Sequence, residues 1–170
     1  YFENPYGPLV PAFYAMVTQR YMHEFGTQRE DLAHVAVRAR HHAVRHPNSP
    51  MKSEITVDDV LASKPIAEPL NMLDCCFISD AAGAFIVTTP DRAADLANRP
   101  AWLWGIGECH THEHITLAPS LTEFGAVQSG SQAYEMAGVG PKDIDFAELY
   151  DCFTIVPIIE AEELGLAERG

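Results

Sequence analysis

The chain has 170 residues, 47% of them apolar, which is enough to bury a core and to form one or two domains. Its net charge of −13 excludes nucleic acid as the expected partner, because phosphate binding needs a positive field. No apolar run approaches the ~18 residues that span a bilayer, and Tyr1-Phe2-Glu3-Asn4-Pro5 has neither the basic nor the apolar part of a secretory leader.

The charge is uneven. Residues 100–170 carry two basic side chains, Lys142 and Arg169, against twelve acids. Of the other basic residues, Arg38, Arg40, Arg45 and Lys52 form a cluster, with His41, His42 and His46 beside them. Four cysteines (Cys75, Cys76, Cys109 and Cys152) do not make a secreted disulfide pattern. Free thiols in a cytoplasmic setting are the simpler expectation.

Residues 1–10 read as a loop punctuated by Pro5, Gly7 and Pro8. A helix is predicted from Pro11 to about Glu24, since Val10, Phe13, Tyr14, Val17 and Tyr21 recur at helical spacing and Gly26 ends the pattern. Thr27, with Glu30 three positions on, predicts a capping box for a second helix that runs to about Arg45. Thr56 predicts a cap for a short helix through Ala62, with Asp58 and Asp59 in its dipole-favoured first turn. Residues 65–73 read as an extended connector. Beyond it, strands are predicted at 84–88, 101–110 and 147–150, and helices at 91–97, 122–137 and 154–164. Helices first, then strands alternating with helices, make an α/β pattern.

Two stretches carry candidate chemistry. Glu148-Leu149-Tyr150-Asp151-Cys152-Phe153-Thr154 places a tyrosine, an acid and a cysteine at a strand-to-helix junction, where α/β folds expose side chains to a crevice. The spacing names no reaction, and a tyrosine that merely closes a strand end is the plainer alternative. Glu108-Cys109-His110-Thr111-His112-Glu113-His114 would put three imidazoles on one face of a strand. No distal ligand pair stands at a recognised spacing, so no metal is expected. The basic island at residues 38–52 has its own plain alternative, a solvated helix face.

The 148–154 segment resembles the C-terminal "E-x-N-E-A-F" element of the thiolase superfamily, in the form used by sterol-carrier-type and lipid-transfer-type thiolases. The resemblance extends to Arg20-Tyr21-Met22-His23-Glu24-Phe25-Gly26-Thr27, to the run from Ile66 through Cys76, and to Glu162-Glu163-Leu164-Gly165. It implies a partial thiolase-like α/β fold: a helical loop region covering coenzyme A at 1–80, the end of the first half at 81–98, and the start of the second βαβ half at 99–170. It also implies that the chain is an internal portion. The nucleophilic-cysteine segment would precede Tyr1, and the catalytic histidine and second cysteine would follow Gly170.

The activity implied by the resemblance makes or breaks a C–C bond beside an acyl-CoA thioester. Some thiolase-like aldolases that cleave steroid side-chain CoA esters use a tyrosine at the junction, which makes Tyr150 the catalytic candidate: its phenol can donate to an oxyanion or, if its pKa is lowered, accept a proton. Cys152 aligns with a small residue and is expected to pack. A basic patch suits the phosphates of coenzyme A, and Arg45 and Lys52 are its candidates, ahead of Arg38 and Arg40. Cys76 and Ser79 are the pantetheine candidates; Ala81 stands where the family usually has glycine. Tyr6, Gly7, His110 and Ser120 are the substrate-binding candidates. A homodimer and a small OB-fold partner are the implied associations. The rival expectation is a non-catalytic acyl-CoA or lipid-binding piece.

Overall fold

The computed structural model describes residue 7 and residues 9–170, so the Tyr6 candidate lies outside the described residues. Helix α1 (Val10–Phe25) starts with proline in its first turn and stops at Gly26, whose φ of 75° is the left-handed geometry glycine adopts without strain. Its inner face buries Ala15, Val17, Thr18 and Tyr21. Helix α2 (Arg29–Ala43) begins one residue later than the Thr27 cap predicted: Gln28 is the cap, and its N–H donates to Asp31 Oδ2 at 2.8 Å. The shorter Asp31 carboxylate, three residues after Gln28, takes the place expected for Glu30. At α3 (Val57–Ala62) the Thr56 cap is present, with Asp59 N–H donating to Thr56 Oγ1 and Thr56 N–H donating to Asp59 Oδ2.

The predicted connector at 65–73 folds back on itself. Strands β1 (Pro65–Ala67) and β2 (Leu70–Asn71) pair antiparallel, with Pro65 opposite Asn71 and Ala67 opposite Leu70, across a cis Glu68–Pro69 peptide. Buried Asn71 donates from Nδ2 to the Leu61 carbonyl at 2.9 Å, which satisfies an orphan carbonyl at the end of α3. A 3-10 turn (Met72–Asp74) follows, and Cys75 then bridges antiparallel to Phe153, just before helix α6 (Ile155–Glu163). Helix α6 sends Ile155, Val156 and Ile159 into the core beside Tyr21, Leu32 and Leu70.

The strands predicted at 84–88, 101–110 and 147–150 form no ladder among the described residues. A strand is completed only by a neighbour's backbone, and here the chain supplies pairing at β1–β2 and at Cys75–Phe153. The apolar runs are therefore left open: Phe85 is 88% exposed, Ile86 91% and Leu103 80%. Segment 101–110 nonetheless lies close against helix α5 (Ala126–Ala137). A Cβ at Gly105 or Gly107 would collide with the carbonyls of Ala133 and Ser129, so both glycines are needed for that approach. Between the first two of these segments, α4 (Pro90–Ala94) is a single short helix.

Helix α5 starts at Ala126 rather than at the predicted Thr122. The Thr122 hydroxyl is committed elsewhere, donating to Glu24 Oε2 at 3.0 Å, and Gly125 turns the chain at a φ of 85°. The orphan N–H groups at the helix start are taken from a distance. Glu163 of α6 accepts from Phe124 N–H at 2.6 Å and from Ala126 N–H at 2.7 Å, one bond to each carboxylate oxygen. Glu163 is 9% exposed, so these are charge-assisted bonds in a shielded place. Glu163→Ala is expected to destabilise the fold by about 2–3 kcal/mol, because it orphans both donors. Glu163→Gln keeps one acceptor and should cost roughly half as much; urea unfolding of the two variants measures the difference.

Candidate functional site

The site is assembled where the segment after β2 meets the segment before α6. Cys76 N–H donates to the Cys152 carbonyl at 2.9 Å, and Thr154 N–H donates to the Asp74 carbonyl at 3.0 Å. The side chains repeat the tie: Thr154 Oγ1 donates to Asp74 Oδ1 at 3.0 Å, and Asn71 N–H donates to Asp74 Oδ2 at 2.9 Å. Burial raises the Asp74 pKa, and these two donors act against that shift. The ties place Cys76 and Cys152 opposite each other.

Tyr150 leads into this ladder. Its backbone N–H donates to Glu160 Oε2 at 3.2 Å, so α6 holds the backbone while the side chain stays 69% exposed. The phenol lines a mostly apolar cavity of about 740 Å³ together with Met72, Cys76, Phe77, Cys152 and Tyr14. Small-molecule sites of this kind run to roughly 300–1,000 Å³. Negative charge forming on Cys152 and Cys76 opposes ionisation of the Tyr150 phenol and raises its pKa, with lesser contributions from burial and Asp151. The direction of this shift is opposite to the lowered pKa that a proton-accepting phenol would need.

Two thiols in this wall, Cys75 and Cys152, are unsuited to nucleophilic attack. Burial first, then the neighbouring Asp74 and Cys76, push the Cys75 thiol up to about 11. Burial also raises the Cys152 pKa, against opposing hydrogen bonds from Tyr14 and the Phe153 backbone. The thiol form is inert where the thiolate would react.

A second cavity, of about 360 Å³, also has Tyr14 in its lining and brings His110 and Ser120 together with Cys109, His112 and Phe124. A third, of about 280 Å³, joins Arg40 of α2 to Cys76, Asp151 and Thr154. The structure thus gathers Tyr150 with Cys76, and His110 with Ser120. Ser79 and Gly7 are exposed and line none of these three cavities. Arg45 and Lys52 lie past the end of α2 and are turned onto backbone: Arg45 Nη1 donates to the His41 carbonyl at 2.5 Å, and Lys52 Nζ donates to the Pro47 carbonyl at 3.0 Å. Arg40, ranked behind them in the sequence, also donates to backbone, from Nη1 to the Ser53 carbonyl at 3.2 Å, and it lines the third cavity.

His110 Nε2 lies 2.9 Å from Glu108 Oε1, and His112 Nδ1 lies 2.7 Å from Thr111 Oγ1. No group of three metal-ligating side chains occurs among the described residues. No helix among them is long and apolar enough to cross a membrane.

Tyr14 and Phe153 were not singled out as site residues by sequence. Their rings stack at 4.5 Å with 25° between planes, although 139 residues of chain separate them. The helical periodicity that assigned Tyr14 to a core face was the only available signal.

Comparison with known proteins identifies the fold. Residues 107–170 match the family model described as thiolase C-terminal domain-like. The chain is 38% identical over 175 residues to a steroid side-chain-cleaving aldolase from Thermomonospora curvata, covering 98% of this chain and 44% of the relative. It is 36% identical over 171 residues to an acetyl-CoA acetyltransferase from Methanocaldococcus jannaschii, covering 99% and 44%. Among solved structures, the Ltp2-ChsH2(DUF35) aldolase superposes with a TM-score of 0.85 at 35% identity, covering 97% of this chain and 45% of that one. The chain therefore spans less than half the length of the relatives it matches, and its partial α/β fold is theirs.

Thiol reactivity checks the site's electrostatics. Cys76, the exposed cysteine, is expected to be alkylated by iodoacetamide at neutral pH well before Cys75 and Cys152. Peptide mass mapping over time reads the order, and faster labelling of Cys152 would contradict the buried-thiol description.

Proposed function

The chain belongs to the thiolase superfamily, and from that footing we propose that it acts on an acyl-CoA thioester, in an enzyme that makes or breaks the C–C bond beside it. The observation that carries this reading is the position of Tyr150: a protonated phenol at the lip of an apolar cavity whose buried thiols stay protonated. The cavity would hold the acyl group, and the phenol would donate to the oxygen on which negative charge develops. That arrangement favours the aldolase form of the chemistry, retro-aldol cleavage of a bulky β-hydroxyacyl-CoA ester: a base elsewhere in the intact enzyme takes the β-hydroxyl proton, the C–C bond breaks to a carbonyl product and a thioester enolate, Tyr150 donates to that enolate, and no acyl-cysteine is required.

In this reading residues 1–80 cover coenzyme A, 81–98 end the first half of the fold and 99–170 open the second. Cys76 borders the pantetheine arm near the thioester, and His110 and Ser120 face the acyl side. Arg40 is the cation best placed near the same wall, while Arg45 and Lys52 serve the phosphates by leaving their backbone contacts. Relatives named for acetyl-CoA transfer and for steroid side-chain cleavage support both the substrate class and the bulky acyl group. The open apolar faces at 84–88 and 101–106 support burial against further polypeptide, such as a homodimer partner. A small OB-fold partner and a cytoplasmic setting complete the proposal.

Tyr150→Phe removes the donor and keeps the ring. Cleavage of a β-hydroxyacyl-CoA ester by the intact protein is expected to fall by about 10²–10⁴-fold, the usual worth of general acid–base catalysis, with acyl-CoA affinity unchanged. Equal turnover by the variant would remove Tyr150 from the chemistry. Because the phenol pKa lies above its ordinary value of 10, wild-type turnover should hold through neutral pH and decline only above about pH 10. A pH–rate profile reads that limb, and a decline near neutral pH would contradict the donor role.

A further inference from the structure

Tyr14 lines both the Tyr150 cavity and the His110–Ser120 cavity. One face of its ring stacks on Phe153 at 4.5 Å. The backbone at this position is buttressed as well, since the Thr18 hydroxyl donates to the Tyr14 carbonyl at 2.7 Å. Turning the ring aside would break the stack.

The two compartments differ in character. The Tyr150 side is bounded by Met72, Phe77, Ile78 and Phe153. The far side mixes Phe13, Ile115 and Phe124 with His110, His112 and Ser120. Of the described residues that line the two cavities, Tyr14 alone is common to both.

We propose that Tyr14 is the specificity-determining residue that ends the acyl compartment, its fixed ring separating the Tyr150 cavity from the His110–Ser120 cavity. The inference rests on the acyl-CoA reading above. Shortening Tyr14 joins the compartments into one channel and admits acyl groups that the wild-type wall stops. Tyr14→Phe keeps the wall and should bind as wild type does. Tyr14→Leu keeps apolar contact with Phe153 while opening part of the passage, and Tyr14→Ala opens it fully.

Calorimetric titration of the intact protein with butanoyl-CoA and dodecanoyl-CoA tests this, with circular dichroism confirming that each variant is folded. The expected result is that Tyr14→Ala moves the ratio of the two affinities toward dodecanoyl-CoA by about tenfold or more, the lower end of what a change in apolar pocket size delivers. Tyr14→Leu should move it part of the way, and Tyr14→Phe not at all. If folded Tyr14→Leu and Tyr14→Ala keep the wild-type ratio, the wall assignment is overturned while the acyl-CoA reading stands. A shift in Tyr14→Phe equal to that in Tyr14→Ala would assign the effect to the phenol hydroxyl rather than the ring and overturn it too. If the wild-type protein binds neither ester, the acyl-CoA reading itself fails and takes this proposal with it.

Discussion

The short ladder between residues 74–76 and 152–154 is the constraint on which the rest of the site depends. It joins segments far apart in sequence with two backbone hydrogen bonds, and the Asp74–Thr154 side-chain bond reinforces them from the buried side. Burying a carboxylate is costly unless its oxygens are satisfied. Here Asn71 and Thr154 both donate to Asp74, so the penalty of burial is offset only when the two segments are docked. Cys76, Cys152 and Phe153 take their places from this docking, and through them the apolar cavity and the surroundings of the Tyr150 phenol.

A second carboxylate does for the helices what Asp74 does for the loops. Glu163, at the end of α6, satisfies the donors at the start of α5, and Leu164, just beyond it, packs close over Gly130. Nearby, the Tyr21 hydroxyl of α1 is hydrogen-bonded to Glu162, whose Oε1 also accepts the Gly170 N–H at 2.9 Å. Helices α1, α5 and α6 are thus cross-linked by polar bonds at the edge of an apolar core. Tyr14 inherits its position from this framework. One residue can then border both cavities because it sits on the α1 face that packs against the strand-to-helix junction.

The sequence was most informative where the signal is local. The stop of α1 at Gly26 and the Thr56 cap of α3 depend on residues a few positions apart, and both are where the pattern placed them. The start of α5 was misread because its capping carboxylate comes from α6, 37 residues away from Ala126. The β1–β2 hairpin was missed because five residues of pairing leave no alternation to read. Three strands were expected from apolar runs that are present but unpaired, since composition reports the wish to be buried and not the availability of a neighbour.

By itself, the sequence determined the superfamily, the order of the helices and the prominence of the Tyr150–Phe153 segment, because these are written in contiguous residues. Only the tertiary structure decided that Tyr150 shares a cavity with Cys76, that Arg40 lines a cavity wall to which Arg45 and Lys52 do not contribute, and that Tyr14 borders two cavities at once. Each of those facts depends on desolvation or on contact between residues distant in the chain. Neither quantity exists until the chain has folded.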